Sequence, residues 1–321
     1  MSEGYTVAVV GAGLVGERLV AELRRRNFPL KELRVLARSA RRAVLAGDTF
    51  EVEVAEPEAF EGVEFALFAG TEGEKGAAVQ LAREAISRGA IVIDNGSDFR
   101  LDPEVPLVVP EVNAEALEAH KGVVANPNCS TIQMVVTLAP IAREFGLKKV
   151  VVSTYQAVSG AGRGGVEALE NGREDAFPKP IVGNAIPLIG GVGKDGYTTE
   201  ERKMKKEARK ILSMPDLPVF ATAVRIPVHT GHAESVYVET ERDVTLSEVL
   251  EVLGAGPGVS FSGDAADFPT PLEAVGDPKV FVGRVRAEGN AIEYWCVSDN
   301  LLKGAATNAV QIAESLVGVK A

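Results

Sequence analysis

The sequence predicts an α/β domain built on a parallel sheet, followed by a second, strand-rich α+β domain. Three observations predict it. Short apolar strands alternate with helical stripes up to about residue 128, a glycine-rich turn joins the first strand to the first helix, and β-rich segments dominate after Lys148. Strands that alternate with helices bury both faces of a parallel sheet. A length of 321 residues fits two domains, because single cores stop growing near about 250–300 residues.

Each element has its own signal. Tyr5–Val10 is a β-branched run that stops at Gly11, and Val15, Leu19 and Leu23 then recur every four residues, one face of a helix. Residues 33–37, 65–69 and 90–94 read as further strands, with Val79, Ala82 and Ile86 marking a helix between the last two. A last strand near Val123–Ala125 leads through Asn126-Pro127-Asn128 to Cys129, where Ile132, Val135, Val136 and Ala139 resume the helical period. Beyond it, residues 150–157, 219–228, 235–240, 279–285 and 291–297 read as hairpin-connected, mostly antiparallel strands. Helices are expected at 199–212 and 246–253, and Ala305, Ala309, Ile312 and Leu316 form a C-terminal stripe. The Gly- and Pro-rich stretch 177–196 reads as a long loop, a kind that is usually functional or mobile.

Composition narrows the function. Lys+Arg 34 against Asp+Glu 45 gives a net charge of −11, the wrong sign for a general nucleic-acid binder. An anionic substrate must then be met by locally placed cations or backbone N–H groups. No run approaches the roughly 18 apolar residues of a membrane span. Met1-Ser2-Glu3 leads straight into the first strand, without the order of a signal peptide. Cys129 and Cys296 are too few for a disulfide framework. A cytoplasmic enzyme is expected.

Gly11-Ala12-Gly13-Leu14-Val15-Gly16 is a G-x-G-x-x-G between strand and helix. Glycines there let a backbone approach a pyrophosphate at the helix N-terminus, against the alternative of a purely structural turn. An NAD site wants an acidic residue about 20 positions on. Between Leu33 and Gly47 there is none; Arg38 and Ser39, after the second strand, suit a 2′-phosphate instead, unless they belong to a solvated basic helix start. NADP is therefore expected over NAD. Cys129 opens a helix, where macrodipole and free N–H groups favour the thiolate and offer an oxyanion site; the competing reading is a small buried hydrophobe. Cys296, inside a β-like run, reads as core.

Of the three histidines, His229 and His232 fall between two strands, in Arg225-Ile-Pro-Val-His229-Thr-Gly-His232-Ala-Glu234. As metal ligands they lack a partner set; proton transfer with Cys129 suits them better. Arg225 offers a planar fork for a carboxylate, or a structural ion pair. Glu200 and Lys203 share a helix face, but in so charged a run the pattern alone reads as a solvated surface.

Taken together, Asn-Pro-Asn-Cys129-Ser, Thr154-Tyr-Gln156-Ala-Val-Ser159-Gly160, Arg225-Ile-Pro-Val, Gly231-His232-Ala-Glu234, Asp94-Asn95-Gly96-Ser97, Phe99-Arg100 and the tail from Asp299-Asn300 to Asn308 resemble the aspartate-β-semialdehyde dehydrogenase family. The matches run in family order along the whole chain. The resemblance implies an α/β Rossmann-like NADP-binding domain (1–128 and 302–321) plus an α+β catalytic and dimerisation domain with a largely antiparallel sheet (129–301). It implies reductive dephosphorylation of L-aspartyl-4-phosphate to L-aspartate 4-semialdehyde, a step toward lysine, methionine and threonine. Cys129 then looks like the acyl-thioester nucleophile, His232 the acid/base and Gln156 the residue orienting the acyl group. Arg225 would hold the substrate α-carboxylate, Glu200 its amine, and Arg100, Lys203 and Asn128 the phosphate. Gly11, Ala12, Gly13, Leu14, Val15, Arg38 and Ser39 would contact the cofactor, with Ser159, Gly160 and Asn308 at its nicotinamide end. No metal is implied. A homodimer or homotetramer is expected, with a small-molecule substrate and phosphate as the ligands. The rivals are a malonyl-CoA reductase, another acyl-phosphate reductase of this architecture, and a non-catalytic NADP-binding scaffold.

Overall fold

The computed structural model describes residues 4–70, 76–173 and 175–318; residues 1–3 and 319–321, which the sequence reading places at the ends of the first domain, lie outside the described residues. The chain divides into two compact units, Met1–Pro127 with Ala305–Ala321, and Asn128–Gly304.

The first unit is a seven-stranded sheet. Its strands are β1 (Tyr5–Val10), β2 (Leu30–Ala37), β3 (Arg41–Leu45), β4 (Asp48–Val54), β5 (Phe65–Phe68), β6 (Ile91–Asp94) and β7 (Val123–Ala125). The spatial order is β3-β4-β2-β1-β5-β6-β7, parallel throughout except for the β3–β4 pair at one edge. That edge hairpin stands where the sequence reading places no strand: β3 opens on two arginines, whereas β4 does alternate, with Phe50, Val52 and Val54 against Glu51 and Glu53. Helices α1 (Leu14–Arg25), α2 (Ala77–Ser87), the short α3 (Pro110–Asn113) and the C-terminal α9 (Thr307–Val317) complete the unit. Leu19, Val20 and Leu23 of α1 pack with Val7, Val9, Val35, Leu67 and Ile312, each side chain contributing about 1.5–3 kcal/mol by leaving water. An ion pair and a hydrogen bond then fasten α9: Arg26 donates twice to Glu314, and the Thr307 hydroxyl donates to Glu22.

The second unit opens with α4 (Cys129–Phe145) and continues through β8 (Lys149–Gln156), α5 (Gly162–Asn171), α6 (Thr199–Ile211), β9 (Val219–Arg225) and β10 (His232–Glu239). It ends with α7 (Leu246–Gly254), β11 (Val259–Phe261), α8 (Pro271–Ala274), β12 (Val280–Glu288) and β13 (Ala291–Ser298). The sheet order is β11-β12-β13-β10-β8-β9, with three antiparallel and two parallel pairings. The expectation of hairpin connections is corrected here: among the described residues of this unit only β12 and β13 form a hairpin, while β8–β9 and β11–β12, also consecutive in the chain and adjacent in the sheet, run parallel. Helices α5 and α6 lie between β8 and β9 in the chain, and such a crossover delivers a parallel strand, not a hairpin. Two capping boxes visible as Thr-x-x-Glu start α6 and α7, at Thr198–Glu201 and Thr245–Glu248. A π-helical turn at Leu302–Ala306 precedes α9. Among the described residues no helix is long and apolar enough to cross a membrane.

Candidate active site

In the second unit, register alone builds a row of side chains. Gln156 ends β8, Arg225 ends β9 and pairs with it, His232 starts β10, and Ser298 ends β13 opposite His232. Because side chains alternate across a strand, residues level with one another share a face, and these four stand side by side at one end of the sheet. All four are buried. Helices α4 and α6 supply the partners. Asn128, the N-cap of α4, donates through Nδ2 to Glu200 Oε1 at 2.9 Å, and Gln156 Nε2 donates to the same oxygen at 3.3 Å. Lys203 Nζ lies 4.0 Å from Glu200 Oε2. Cys129, the first residue of α4, is partly exposed.

The helix start is shaped around that thiol. Asn128 Oδ1 accepts from the N–H groups of Ser130 and Thr131 at 3.0 and 3.2 Å, and Glu207 accepts from the Asn128 N–H at 2.7 Å. The expectation that the free amides of this turn hold an oxyanion is thereby corrected for Ser130 and Thr131, whose N–H groups are used in capping. Gly304 sits against Cys129: a Cβ there would lie 2.8 Å from the Cys129 Cβ.

The charged groups are held without freedom to turn. Arg225 donates through one guanidinium nitrogen to the Ala157 carbonyl at 2.7 Å, and its guanidinium carbon lies 5.9 Å from the centre of the Phe177 ring. Burial pulls its pKa down from the ordinary guanidinium value, while Glu200 and Cys129 act in the opposite direction; a guanidinium remains charged throughout. The 177–196 stretch is tied to the same residue, since Ile186 and Arg225 exchange two backbone hydrogen bonds of 2.8 and 2.9 Å. His232 is fully buried, and its Nδ1 accepts the Ala157 N–H at 3.0 Å. Burial, then the positive charge of Arg225, pushes its pKa well below the ordinary histidine value. The neutral ring therefore carries its proton on Nε2, which has no hydrogen-bond partner among the described residues. Gly160 leaves the room beside it: a Cβ would fall 2.8 Å from Arg225 and 3.2 Å from His232 Nε2.

Several expected residues fall elsewhere. His229 is exposed, 3.9 Å from Glu170, and takes no part in the row. Among the described residues no group of three or more His, Cys, Asp or Glu is placed to hold a metal ion. The charged run of α6 is not a solvated face: Glu200, Glu201 and Glu207 are all buried. Residues the sequence reading left without a role also matter. Asn300 accepts from the Gly231 N–H and is hydrogen-bonded to Ser159, which pins both loops beside His232; Glu207 fixes Asn128. The Asp299-Asn300 pair stood in the matched tail, but nothing in its spacing assigns it a function.

The first unit holds the remaining expected residues. Gly11 has φ +118°, and a Cβ on Gly16 would lie 1.8 Å from the Gly11 carbonyl oxygen. Gly13 is the N-cap of α1, with no side-chain cap and open space around its α-carbon. Ala12, Leu14 and Val15 complete the turn, which is a backbone cradle of the kind a phosphate fits. Arg38 and Ser39 follow β2, exposed to solvent. Arg100 is buried and donates to the carbonyls of Asn126 and Asn95 at 2.9 and 2.7 Å. Both amide hydrogens of Asn308 are used within the unit, on Val108 O and Asn126 Oδ1.

With this geometry established, comparison with known proteins decides the family. Residues 6–120 match the semialdehyde dehydrogenase NAD binding domain and residues 138–303 the semialdehyde dehydrogenase dimerisation domain. The aspartate-semialdehyde dehydrogenase of Bacillus subtilis (strain 168) is 49% identical, with 98% of each chain covered. The chain belongs to the aspartate-semialdehyde dehydrogenase family. The Aquifex aeolicus aspartate-semialdehyde dehydrogenase is 47% identical over 98% of each chain. The solved structure of aspartate semialdehyde dehydrogenase II from Vibrio cholerae, complexed with ASA, superposes with a TM-score of 0.94 at 42% identity, covering 99% of each chain.

Proposed function

We propose that this semialdehyde dehydrogenase reductively dephosphorylates L-aspartyl-4-phosphate to L-aspartate 4-semialdehyde, using NADP and a thioester on Cys129. The observation that carries the reading is one end of one sheet. There a buried imidazole stands in one row with a buried guanidinium and the Gln156 amide, and Glu200 ties that amide to Asn128, the N-cap of the helix that Cys129 begins. In this reading Arg225 takes the substrate α-carboxylate and Glu200 its ammonium. Lys203, Asn128 and, from the first unit, Arg100 are assigned to the phosphate.

The Cys129 thiolate attacks the acyl carbon; a C–S bond forms, the C–O bond to phosphate breaks, and phosphate leaves. Gln156 keeps the acyl group in line. His232 gives a hydrogen bond from Nε2 to the oxygen on which charge collects, so its first role is as a donor. The neutral ring suits that role, since the proton sits on the nitrogen left without a partner. The glycine turn Gly11–Gly16 fits a pyrophosphate, with Arg38 and Ser39 assigned to the 2′-phosphate and Ser159, Gly160 and Asn308 to the nicotinamide end. The reduced cofactor, NADPH, would when bound supply the hydride that converts the thioester to the aldehyde, with the Cys129 thiolate as the leaving group.

A homodimer or homotetramer in the cytoplasm is part of the same reading, supported by the dimerisation-domain match. The test runs the reaction backward: L-aspartate 4-semialdehyde and NADP, with and without phosphate, followed by nicotinamide absorbance beside Cys129→Ala. The expected result is phosphate-dependent reduction of NADP, reduced by about 10⁴-fold or more in the variant. No reduction by intact, folded protein would sink the aspartyl assignment, and malonyl-CoA would be the next substrate.

A further inference from the structure

One row deeper than His232, the same face of the sheet carries a polar group that the mechanism leaves unused. Glu234 lies two residues along β10 and is fully buried. Thr154 of β8 stands opposite it on one side and Cys296 of β13 on the other. The Cys296 thiol donates to Glu234 Oε2 at 3.7 Å. Above the row runs α4, which has no charged residue from Cys129 to Pro140. Its Gln133 accepts the Ser298 hydroxyl at 2.6 Å, and its Thr137 shares a 2.8 Å hydrogen bond with the Tyr294 hydroxyl.

The titratable groups facing Glu234 are thus His232 on its own strand and Cys296 and Tyr294 on β13; none of these facing positions holds a lysine or arginine. A carboxylate buried without a cation is too costly to stay ionised. Burial accordingly pushes the Glu234 carboxyl well above its ordinary range, opposed only by Gln133 and Cys296. The Cys296 thiol is pushed up as well, by burial and then by Glu234, so both groups keep their protons. Two polar atoms of the row lack a hydrogen-bond partner among the described residues, Gln133 Nε2 and Glu234 Oε1. They are a donor and an acceptor, so each supplies what the other lacks.

We propose that Glu234 is a positioning residue: from beneath His232 it holds the Gln133 amide, and through it the turn of α4 that begins at Cys129. Gln133 is four residues after Cys129, on the same side of the helix. With one end of its amide on Ser298 and the other on Glu234, it sets the rotation of that turn against β10 and β13. The sulfur then stays where the substrate carbon arrives, and a misplacement of about 1 Å costs on the order of 100-fold in rate.

The inference rests on Cys129 being the nucleophile, so the experiment reads the thiol directly as well as turnover. Glu234→Ala, Glu234→Gln and Gln133→Met are compared with the wild type in semialdehyde-dependent NADP reduction and in the pH profile of Cys129 alkylation by iodoacetamide. Glu234→Ala is expected to lower kcat by roughly 10- to 100-fold with KM unchanged, and Gln133→Met to do the same. Glu234→Gln, which keeps the hydrogen bond and has no charge to lose, is expected to restore kcat and leave the midpoint of the alkylation profile in place. Wild-type kcat in both Glu234→Ala and Gln133→Met would overturn the proposal. So would a displaced midpoint in Glu234→Gln, because only a charged Glu234 could move it. Should Glu234→Ala fail to fold, Gln133→Met and Glu234→Gln decide alone. A wild type inert toward the semialdehyde would remove the assigned reaction, and the alkylation profiles would still decide the role of Glu234.

Discussion

The two units present their functional groups in opposite ways. In the first, the glycine turn offers backbone and empty space: Gly13 has nothing near its α-carbon, and Gly16 has room for hydrogen alone. In the second, the row at the sheet end is made of side chains, each buried and each tied to a neighbour, such as Arg225 to the Ala157 carbonyl and His232 to the Ala157 N–H. A backbone cradle recognises a shape and a charge that many ligands share. A row of pinned side chains recognises one arrangement of groups and changes their chemistry through burial, as the lowered pKa of His232 shows. On the proposed function, discrimination among substrates would fall to the second unit, while in the first the glycine turn would recognise any pyrophosphate and leave selection to Arg38 and Ser39.

Replacing the fork of Arg225 should damage the second unit most. Arg225→Lys leaves a point charge that cannot bond the Ala157 carbonyl and grip a carboxylate in one plane. The expected loss is on the order of 100-fold in kcat/KM for the semialdehyde, measured by steady-state kinetics at saturating NADP. An unchanged kcat/KM would mean that the α-carboxylate is held elsewhere. Gly16→Ala should break the cradle instead, since the new Cβ would meet the Gly11 oxygen at 1.8 Å and the turn must move. A cost of about 1–3 kcal/mol to the turn is expected to weaken NADP binding in a fluorescence titration while Cys129 alkylates at its normal rate. Loss of both would show that the contrast between the units is too sharply drawn. The smallest effect is expected for Arg38→Ala: NADP affinity roughly tenfold lower, as for one charge-assisted hydrogen bond, and NAD affinity unchanged. Equal affinities before and after would remove the basis for an NADP preference.

Much of the first unit was legible because its signals are local. β1, the turn at Gly11–Gly16 and α1 are contiguous, and each follows from apolar spacing and glycine placement. At the β3–β4 edge, Arg41 and Arg42 obscure β3, whereas the alternation of Phe50, Val52 and Val54 with Glu51 and Glu53 was there to be read. Helix α5 was hidden by Gly162, Gly164 and Gly165, which argue against a helix until packing is known; a Cβ at Gly165 would lie 2.3 Å from the Val158 carbonyl oxygen. The row at the sheet end was legible as a set only through the family resemblance, because Gln156, Arg225 and His232 become neighbours through strand register, and register is not written at any one position. Arg225 and His232 drew notice from their chemistry alone. Glu200 did not, since a charged run on a helix says nothing of what lies over it.

The path of the chain has a further consequence. Gly304 lies against Cys129, so the second unit begins and ends at one place. The first unit is interrupted there and resumes at Ala305, whose carbonyl accepts from the Asn126 side chain at 3.4 Å. The second unit is in effect an insertion within a loop of the first, and both cut ends of each unit are already side by side. Evolution could exchange such an insert whole, keeping one nucleotide carrier and changing what is presented to it. A short splice from Pro127 to Ala305 would close the carrier, and permuted termini at Asn128 and Gly304 would free the insert.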